Sequence, residues 1–317
     1  MHLYKGSEQM NVERLEASEE GIPERYRLSA GAVVGDVVPS AGFGLVSWKV
    51  DGEELLAMPL PLDEYMKESH LGGIPLLYPW ANRLRGERYS AGGKDVDLSL
   101  VNDLKRDNNG LPMHGLLLRF SHWHVAVLDN GITGTIEWAD HPELMQAFPF
   151  AHQLCVSWTV SEYGLRASLK VTAGANDVPL VGGWHPYFAP PALNQRDLML
   201  SGPPMKSVPL DGQCLPTGQV GELIDESGAL GVRTFDNLYT APADGFSYAI
   251  AGDSLKVRLD ANEKWQAMQL YATQTGGFVC VEPMLAETAA LCDGTAPMLA
   301  AGETFEACFD VSVGANS

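Results

Sequence analysis

Basic residues are scarce in this chain. Against 40 Asp and Glu stand 21 Lys and Arg, a formal charge of −19 over 317 residues. Nucleic-acid binding needs a basic face to neutralise phosphates, so that class is excluded. The same negative field opposes docking on anionic membranes. Long apolar runs are missing too: nothing approaches the ~18–20 residues of a spanning helix. The first 21 residues are polar and lack the apolar core of a signal peptide, so a soluble cytoplasmic protein is expected. The five cysteines, Cys155, Cys214, Cys280, Cys292 and Cys308, are irregularly spaced, with no Cys-x-x-Cys pair. Neither a disulfide framework nor a zinc knuckle is indicated. Cys155 and Cys280 interrupt apolar runs and are expected as buried free thiols. No G-x-G-x-x-G or G-x-x-x-x-G-K-[ST] occurs, so the usual nucleotide fingerprints are absent.

Turn residues, by contrast, are plentiful. The 33 glycines and 20 prolines make up about one residue in six, against roughly 12% in average usage. Between them run short alternating segments. Gly44–Val50 ends at Asp51-Gly52, a hairpin signal. Trp123–Leu128 stops at Asp129-Asn130-Gly131, and Gly134–Trp138 is its expected partner. His152–Val160 turns at Tyr163-Gly164 and returns as Leu165–Thr172. Ala267–Ala272, Phe278–Glu282 and Thr304–Val313 repeat the grammar. Helical period is brief, at Leu62–Ser69, where Pro59 and Pro61 bar an upstream extension, and at Pro142–Phe148. Strands spaced by frequent turns predict an all-β sandwich or barrel rather than βαβ units. Residues 26–313 read as one β domain with a few short helices. Residues 1–25 read as an acidic N-terminal arm, frayed or forming a short helix around Val12–Ala17.

Four polar groups interrupt apolar or turn-rich stretches: Asn82-Arg83-Leu84-Arg85, His114-Gly115, Trp184-His185-Pro186-Tyr187-Phe188 and Glu282-Pro283. Glu282 closes the run Val279-Cys280-Val281. Desolvation there raises a carboxyl pKa and makes a better base near neutral pH; a surface Glu at a strand end is the plainer alternative. His114 and His185 each adjoin a residue that fixes the backbone, and imidazole passes protons near pH 7. A hydrogen-bonded core histidine is the alternative for each. Arg83 and Arg85 share a face if extended, and guanidinium forks suit hydroxyls, carboxylates and phosphates. Asp236 lies among aromatics in Phe235-Asp236-Asn237-Leu238-Tyr239. Trp80, Trp184 and Tyr239 are sugar platforms or, more plainly, core. His122-x-His124 is a metal pair on a strand, but no third ligand is visible and no metal site is read from it.

Taken in order, Asn82-Arg83, His114-Gly115, His185-Pro186-Tyr187-Phe188, Asp236 and Glu282-Pro283 resemble the aldose 1-epimerase family, the galactose mutarotases. Gly164-Leu165 and Met268-Gln269-Leu270-Tyr271 match as flanking residues. The resemblance spans roughly Tyr26 to Val313. It implies a large twisted β-sandwich of the galactose mutarotase-like supersandwich type, and interconversion of the α and β anomers of an aldohexose by ring opening and reclosure, without metal or redox cofactor. It implies Glu282 as base at the C1 hydroxyl, His185 as acid at the ring oxygen and His114 as a second, orienting imidazole. Asn82, Arg83, Arg85 and Asp236 are the expected substrate-binding residues. The reacting atoms are adjacent, so the tips of Glu282 and His185 are expected ~5–8 Å apart across one pocket and not bonded to each other, each reaching its own target atom.

The sequence departs from the family pattern at Gly115–Phe120 and at Ala189-Pro190-Pro191, both expected on the sugar's far side. The ligand is a small sugar or sugar phosphate, and the chain a monomer or homodimer. One alternative is a hexose-6-phosphate 1-epimerase with Arg85 or Arg88 holding the phosphate. Another is a non-catalytic carbohydrate-binding or sensor domain on the same fold. Glycoside cleavage is a third, but it usually needs two flanking carboxylates, and Glu282 has only Asp236 as an evident twin.

Overall fold

The structure, a computed structural model, describes residues 10–68 and 70–315. Two large antiparallel sheets dominate it. One has nine strands, in the order Gly228–Ala229, Met199–Ser201, Phe246–Ala251, Leu255–Ala261, Thr304–Ala315, Gly164–Ala173, His152–Ser161, Gly131–Glu137 and His124–Leu128. The other has eight. Its path runs Leu223–Ile224, Met205–Val208, Phe235–Thr240, Ala267–Ala272, Val279–Met284, Gly183–Trp184 and Leu76–Leu77, with Tyr187–Phe188 also paired to Val279–Met284. A smaller sheet, Asn11–Leu15, Arg25–Ala30, Val33–Val38, Gly44–Val50 and Glu53–Glu54, packs on the long strand His152–Ser161.

The expected strands are present with small shifts. Gly44–Val50 and Ala267–Ala272 keep their expected bounds, and the long hairpin closes with Ser161 opposite Gly164. Glu282 does not end its strand: it lies within Val279–Met284, opposite Gln269. The helices are one or two turns, Leu62–Tyr65, Pro142–Ala147 and Ala290–Asp293. None among the described residues is long and apolar enough to cross a membrane.

The expected short helix around Val12–Ala17 is corrected, while residues 1–9 of the expected arm lie outside the described residues. Asn11–Leu15 is a strand, with Val12 opposite Leu28 and packed against the core. So short a segment does not hold a helix alone, whereas the open edge of Arg25–Ala30 offers it a ladder of hydrogen bonds.

One aromatic cluster ties the sheets together. Trp158 and Phe309 come from the nine-stranded sheet and Trp184 from the eight-stranded one. Their rings meet edge to face at 5.3 Å (Trp158–Trp184), 5.9 Å (Trp184–Phe309) and 6.2 Å (Trp158–Phe309). Trp48 of the small sheet meets Phe188 at 6.4 Å. The result is the β-sandwich expected from sequence. Trp80, Trp184 and Tyr239, candidate platforms in sequence, are fully buried core. Cys280 is buried and Cys155 half-buried, and all five cysteines are free.

Phe309 is wholly buried and does not line the cleft described below. Phe309→Ala is expected to cost about 3–5 kcal/mol of stability through the lost ring and the cavity left behind. Urea unfolding checks this, and a loss under 1 kcal/mol would mean that the cluster repacks freely.

Candidate active site

Strand register builds one wall of the site. Asp236 stands opposite Tyr271, Gln269 opposite Glu282, and Tyr187 opposite Cys280. Side chains two apart on a strand share a face, so Asp236, Gln269, Tyr271, Glu282 and Tyr187 all point one way. His185 lies two residues before Tyr187 and joins them.

Two crossing loops build the other wall. Asn82 and His114 both have left-handed backbones, with φ of 52° and 63°. Non-glycine residues held so are strained and persist only where their surroundings fix them. Here the loops are zipped together: the His114 N–H donates to the Asn82 carbonyl (2.9 Å), Leu84 N–H to Pro112 (2.8 Å) and Leu116 N–H to Tyr78 (2.7 Å). Gly115, at φ 70°, lies so close that a Cβ would stand 2.2 Å from the Tyr78 carbonyl oxygen. The residue after His114 therefore has to be glycine.

The two walls enclose a cleft of about 520 Å³ lined by Asn82, Arg83, His114, His185, Asp236 and Glu282. Six of the seven sequence candidates thus meet in one place. Arg85 does not line it. Its guanidinium is clamped by both oxygens of Asp293, at 2.6 and 2.7 Å, and donates to the Pro216 carbonyl (3.0 Å). The reason is local: Arg83 makes only an isolated bridge to Met113 and the backbone bends over residues 85–87, so Arg83 and Arg85 do not share a strand face. Arg88 is likewise engaged, by Asp97 at 2.9 Å.

Arg83 is a hub. It donates to Asp107 (3.0 Å), to the Asn82 side-chain oxygen (2.8 Å) and to Asp236 (3.4 Å). Burial pushes Asp107 up, but the N–H groups of Leu111 and Asn109 and the Arg83 guanidinium outweigh it and hold the carboxyl below its ordinary value. Gln269 donates to the other oxygen of Asp236 at 2.6 Å.

At the closed end, Glu282 Oε1 lies 3.3 Å from His185 Nε2, and the Tyr187 hydroxyl is also 3.3 Å from that nitrogen. The Tyr187 ring stacks on His185 at 4.4 Å, and the His114 ring meets it edge-on at 5.5 Å. The expected gap of ~5–8 Å between the two tips is therefore corrected: they touch, because neighbouring strands of one sheet present them. Burial, more than pairing, sets their ionisation. It raises the Glu282 carboxyl well above the usual range, helped by Asp236 and opposed by Arg83. It lowers His185 to about 3. His114 is also pushed far down, by burial first and then by the charges of His185, Lys105 and Arg83. A buried ion pair costs more in desolvation than an exposed one, so the neutral form of the Glu282–His185 pair is favoured.

Gln269, Tyr187, Asp107 and Lys105 carry no role in the sequence reading. Gln269 was detectable as the one polar side chain inside Ala267–Leu270, and it is 1% exposed. Asp107 resembles any turn-forming Asp before Asn-Asn-Gly. His122 and His124 do not join the cleft. His122 packs near His141 at 6.2 Å, and no group of three or more His, Cys, Asp or Glu among the described residues is arranged to hold a metal.

Comparison with known proteins fits this architecture. The aldose 1-epimerase family model matches residues 24–307. The chain belongs to the aldose 1-epimerase family. Among solved structures, a galactose mutarotase-like protein from Clostridium acetobutylicum superposes with a TM-score of 0.82 at 17% identity, covering 97% of this chain and 99% of that one. Galactose 1-epimerase from Lactobacillus acidophilus gives 0.75 at 16%, covering 98% and 100%. An aldose epimerase homologue from C. elegans gives 0.74 at 15%, covering 90% and 97%. At such identities these structures speak for the fold. Comparison with curated proteins by sequence returns no match. Family membership makes the chain an epimerase of the isomerase class, with sugars as the family's substrates.

The two arginines separate in a direct test. Arg83→Ala is expected to lower kcat/KM for every sugar the protein turns over, by at least tenfold (~1.4 kcal/mol), because three partners lose their donor. Arg85→Ala is expected to leave kcat/KM within about twofold, since ~0.4 kcal/mol is all that twofold represents. Equal losses in steady-state assays of the two variants would return Arg85 to the site.

Proposed function

We propose that the protein interconverts the α and β anomers of a neutral aldohexose by acid–base ring opening and reclosure. The observation that carries this reading is the contact between Glu282 and His185, both buried and both facing the same cleft. As carboxylate, Glu282 takes the proton of the C1 hydroxyl. As imidazolium, His185 gives a proton to the ring oxygen, and the C1–O5 bond breaks. The aldehyde turns about C1–C2. On reclosure Glu282 returns its proton to the former carbonyl oxygen and His185 recovers one from the C5 hydroxyl. No electrons change hands, so the reaction calls for no redox group, and the proton transfers are assigned to side chains alone. Asn82, Arg83 and Asp236 hold hydroxyls, and His114 supports the ring.

The ionisation of the pair suits this cycle. The neutral acid with neutral imidazole and the carboxylate with imidazolium contain the same number of protons. They differ by one proton moved across the 3.3 Å contact, so the pair titrates as a unit. The neutral form also matches the state left after the ring has opened.

A phosphorylated substrate is not favoured, because Arg85 and Arg88, the expected phosphate clamp, are held by Asp293 and Asp97. Loss of the acid–base set would favour a binding or sensor domain, yet all three groups line the cleft. Glycoside cleavage would need Asp236 as a second carboxylate, but Gln269 and Arg83 bind it.

Glu282→Gln is expected to reduce anomer exchange by ~10²–10⁴-fold, the usual worth of general base catalysis, with the fold intact by circular dichroism. Exchange is measured by polarimetry or NMR over the uncatalysed rate. Wild-type turnover in a folded variant would remove Glu282 from the mechanism.

The pH profile follows from the pair. The singly protonated pair is the active one. It gains a second proton only as pH falls towards the lowered histidine value of about 3. It loses its proton only as pH rises through the raised carboxyl value. Free-enzyme kcat/KM is therefore expected to stay flat through the ordinary carboxylate and histidine values of about 4.3 and 6.5. An inflection at either would show the two groups titrating independently.

A further inference from the structure

Two turns of the same pattern flank Arg83 and Asp236. In the first, Asp107 N–H donates to the Leu111 carbonyl and Gly110 N–H to the Asp107 carbonyl, both at 3.0 Å. One oxygen of the Asp107 side chain accepts from the N–H groups of Asn109 and Leu111, at 2.8 and 2.9 Å. The second turn repeats each bond. Asp211 N–H donates to Leu215 (2.9 Å), Cys214 N–H to Asp211 (3.0 Å), and Gln213 and Leu215 N–H to the Asp211 carboxylate at 2.8 and 3.1 Å. Both have a left-handed fourth residue, Gly110 at φ 79° and Cys214 at 58°. Each meets the site through one side chain: the other oxygen of Asp107 accepts from Arg83 Nε at 3.0 Å, and the Cys214 thiol donates to Asp236 at 3.4 Å.

The turns differ at their second position, which is Asn108 in one and Gly212 in the other. Gly212 shows that the turn itself needs no side chain there. Asn108 nevertheless lines the cleft and is exposed, and among the described residues its amide has no hydrogen-bond partner. A carboxamide carries both donors and an acceptor, which suits a hydroxyl in either direction.

The hairpin that carries the first turn sets where in the cleft this amide stands. Its ladder starts beside His114, with Met113 N–H on the Lys105 carbonyl (2.9 Å), passes the Arg106–Pro112 bridge and ends at Asp107–Leu111. The His114 ring is 5.5 Å from His185, so the base of the hairpin lies at the catalytic pair. From Lys105 to Asp107 the strand advances two residues, roughly 7 Å, and Asn108 lies just beyond. In a pyranose, C4 lies directly across the ring from C1, and C3 directly across from the ring oxygen. A sugar reacting at Glu282 and His185 therefore turns its C3–C4 edge away from the pair.

We infer that Asn108 is a specificity-determining residue that hydrogen-bonds the C3 or C4 hydroxyl of the sugar. The inference rests on the epimerase reading above and extends it to a residue outside the acid–base set.

The test measures anomer exchange by NMR for glucose and galactose, and for the 2-, 3-, 4- and 6-deoxy analogues of whichever wild type exchanges faster. Asn108→Ala is expected to lower kcat/KM for that parent sugar about three- to tenfold, the worth of one neutral hydrogen bond. The loss is expected in KM rather than kcat, since the bond is made in ground state and transition state alike. It is expected to persist with the 2- and 6-deoxy sugars and to vanish with the 3-deoxy or the 4-deoxy sugar, where the amide has no partner to lose. Should Asn108→Ala fail to fold, Asn108→Gly, which copies the second turn, is expected to give the same pattern. An unchanged kcat/KM for the parent sugar would overturn the inference and leave the epimerase reading standing. So would an equal loss with every analogue, the mark of a merely structural role, or a loss that vanishes only with the 2- or 6-deoxy sugar. No exchange of any sugar by wild type would sink the epimerase reading itself, and the role of Asn108 with it.

Discussion

The site depends on the antiparallel register of three strands. With Asp236 opposite Tyr271 and Gln269 opposite Glu282, a line of polar side chains is laid on one face of an otherwise apolar sheet. A slip of one residue would turn the whole line to the other face. The register is held by the core behind it. Trp184, packed against Trp158 and Phe309, immediately precedes His185, so the joint between the two large sheets also sets the position of an imidazole.

Desolvation is the second constraint. Glu282 is 2% exposed and His185 5%. Two charged groups at that depth would cost several kcal/mol each, and the pair avoids this in its neutral form. In the proposed cycle, the same burial that makes the charged form expensive would make the Glu282 carboxylate a stronger base. A more open site would relax both groups towards ordinary values and weaken the base.

Much of this was legible in the sequence. Period-two alternation marked the long strands, because each has one face in the core and one outside. The order of Asn82-Arg83, His114-Gly115, His185-Pro186, Asp236 and Glu282-Pro283 named the residues that line the cleft. Distances and partners were not legible. The contact between Glu282 and His185 arises because Val279–Met284 is bordered by both Gly183–Trp184 and Tyr187–Phe188, a pairing of segments nearly a hundred residues apart in the chain. Arg85 looked equivalent to Arg83 because strand spacing was assumed, while the backbone bends over residues 85–87 directly after the single bridge at Arg83. Asn11–Leu15 carries too weak a pattern to declare itself, and becomes a strand only because Arg25–Ala30 is there to receive it.

That last strand has a consequence for colloidal behaviour. An uncovered sheet edge is a template on which other chains assemble. The small sheet ends on one side at Asn11–Leu15, with Glu13 and Arg14 exposed, and on the other at the two-residue strand Glu53–Glu54. Both borders are short and charged, and Glu54 further turns its carboxylate back onto the Trp48 and Leu55 backbone N–H groups. Stripping away the outer strand would bare the backbone groups of the longer Arg25–Ala30 edge, which are now paired with Asn11–Leu15. The strand Asn11–Leu15 thus takes up an edge on which a second chain could otherwise pair.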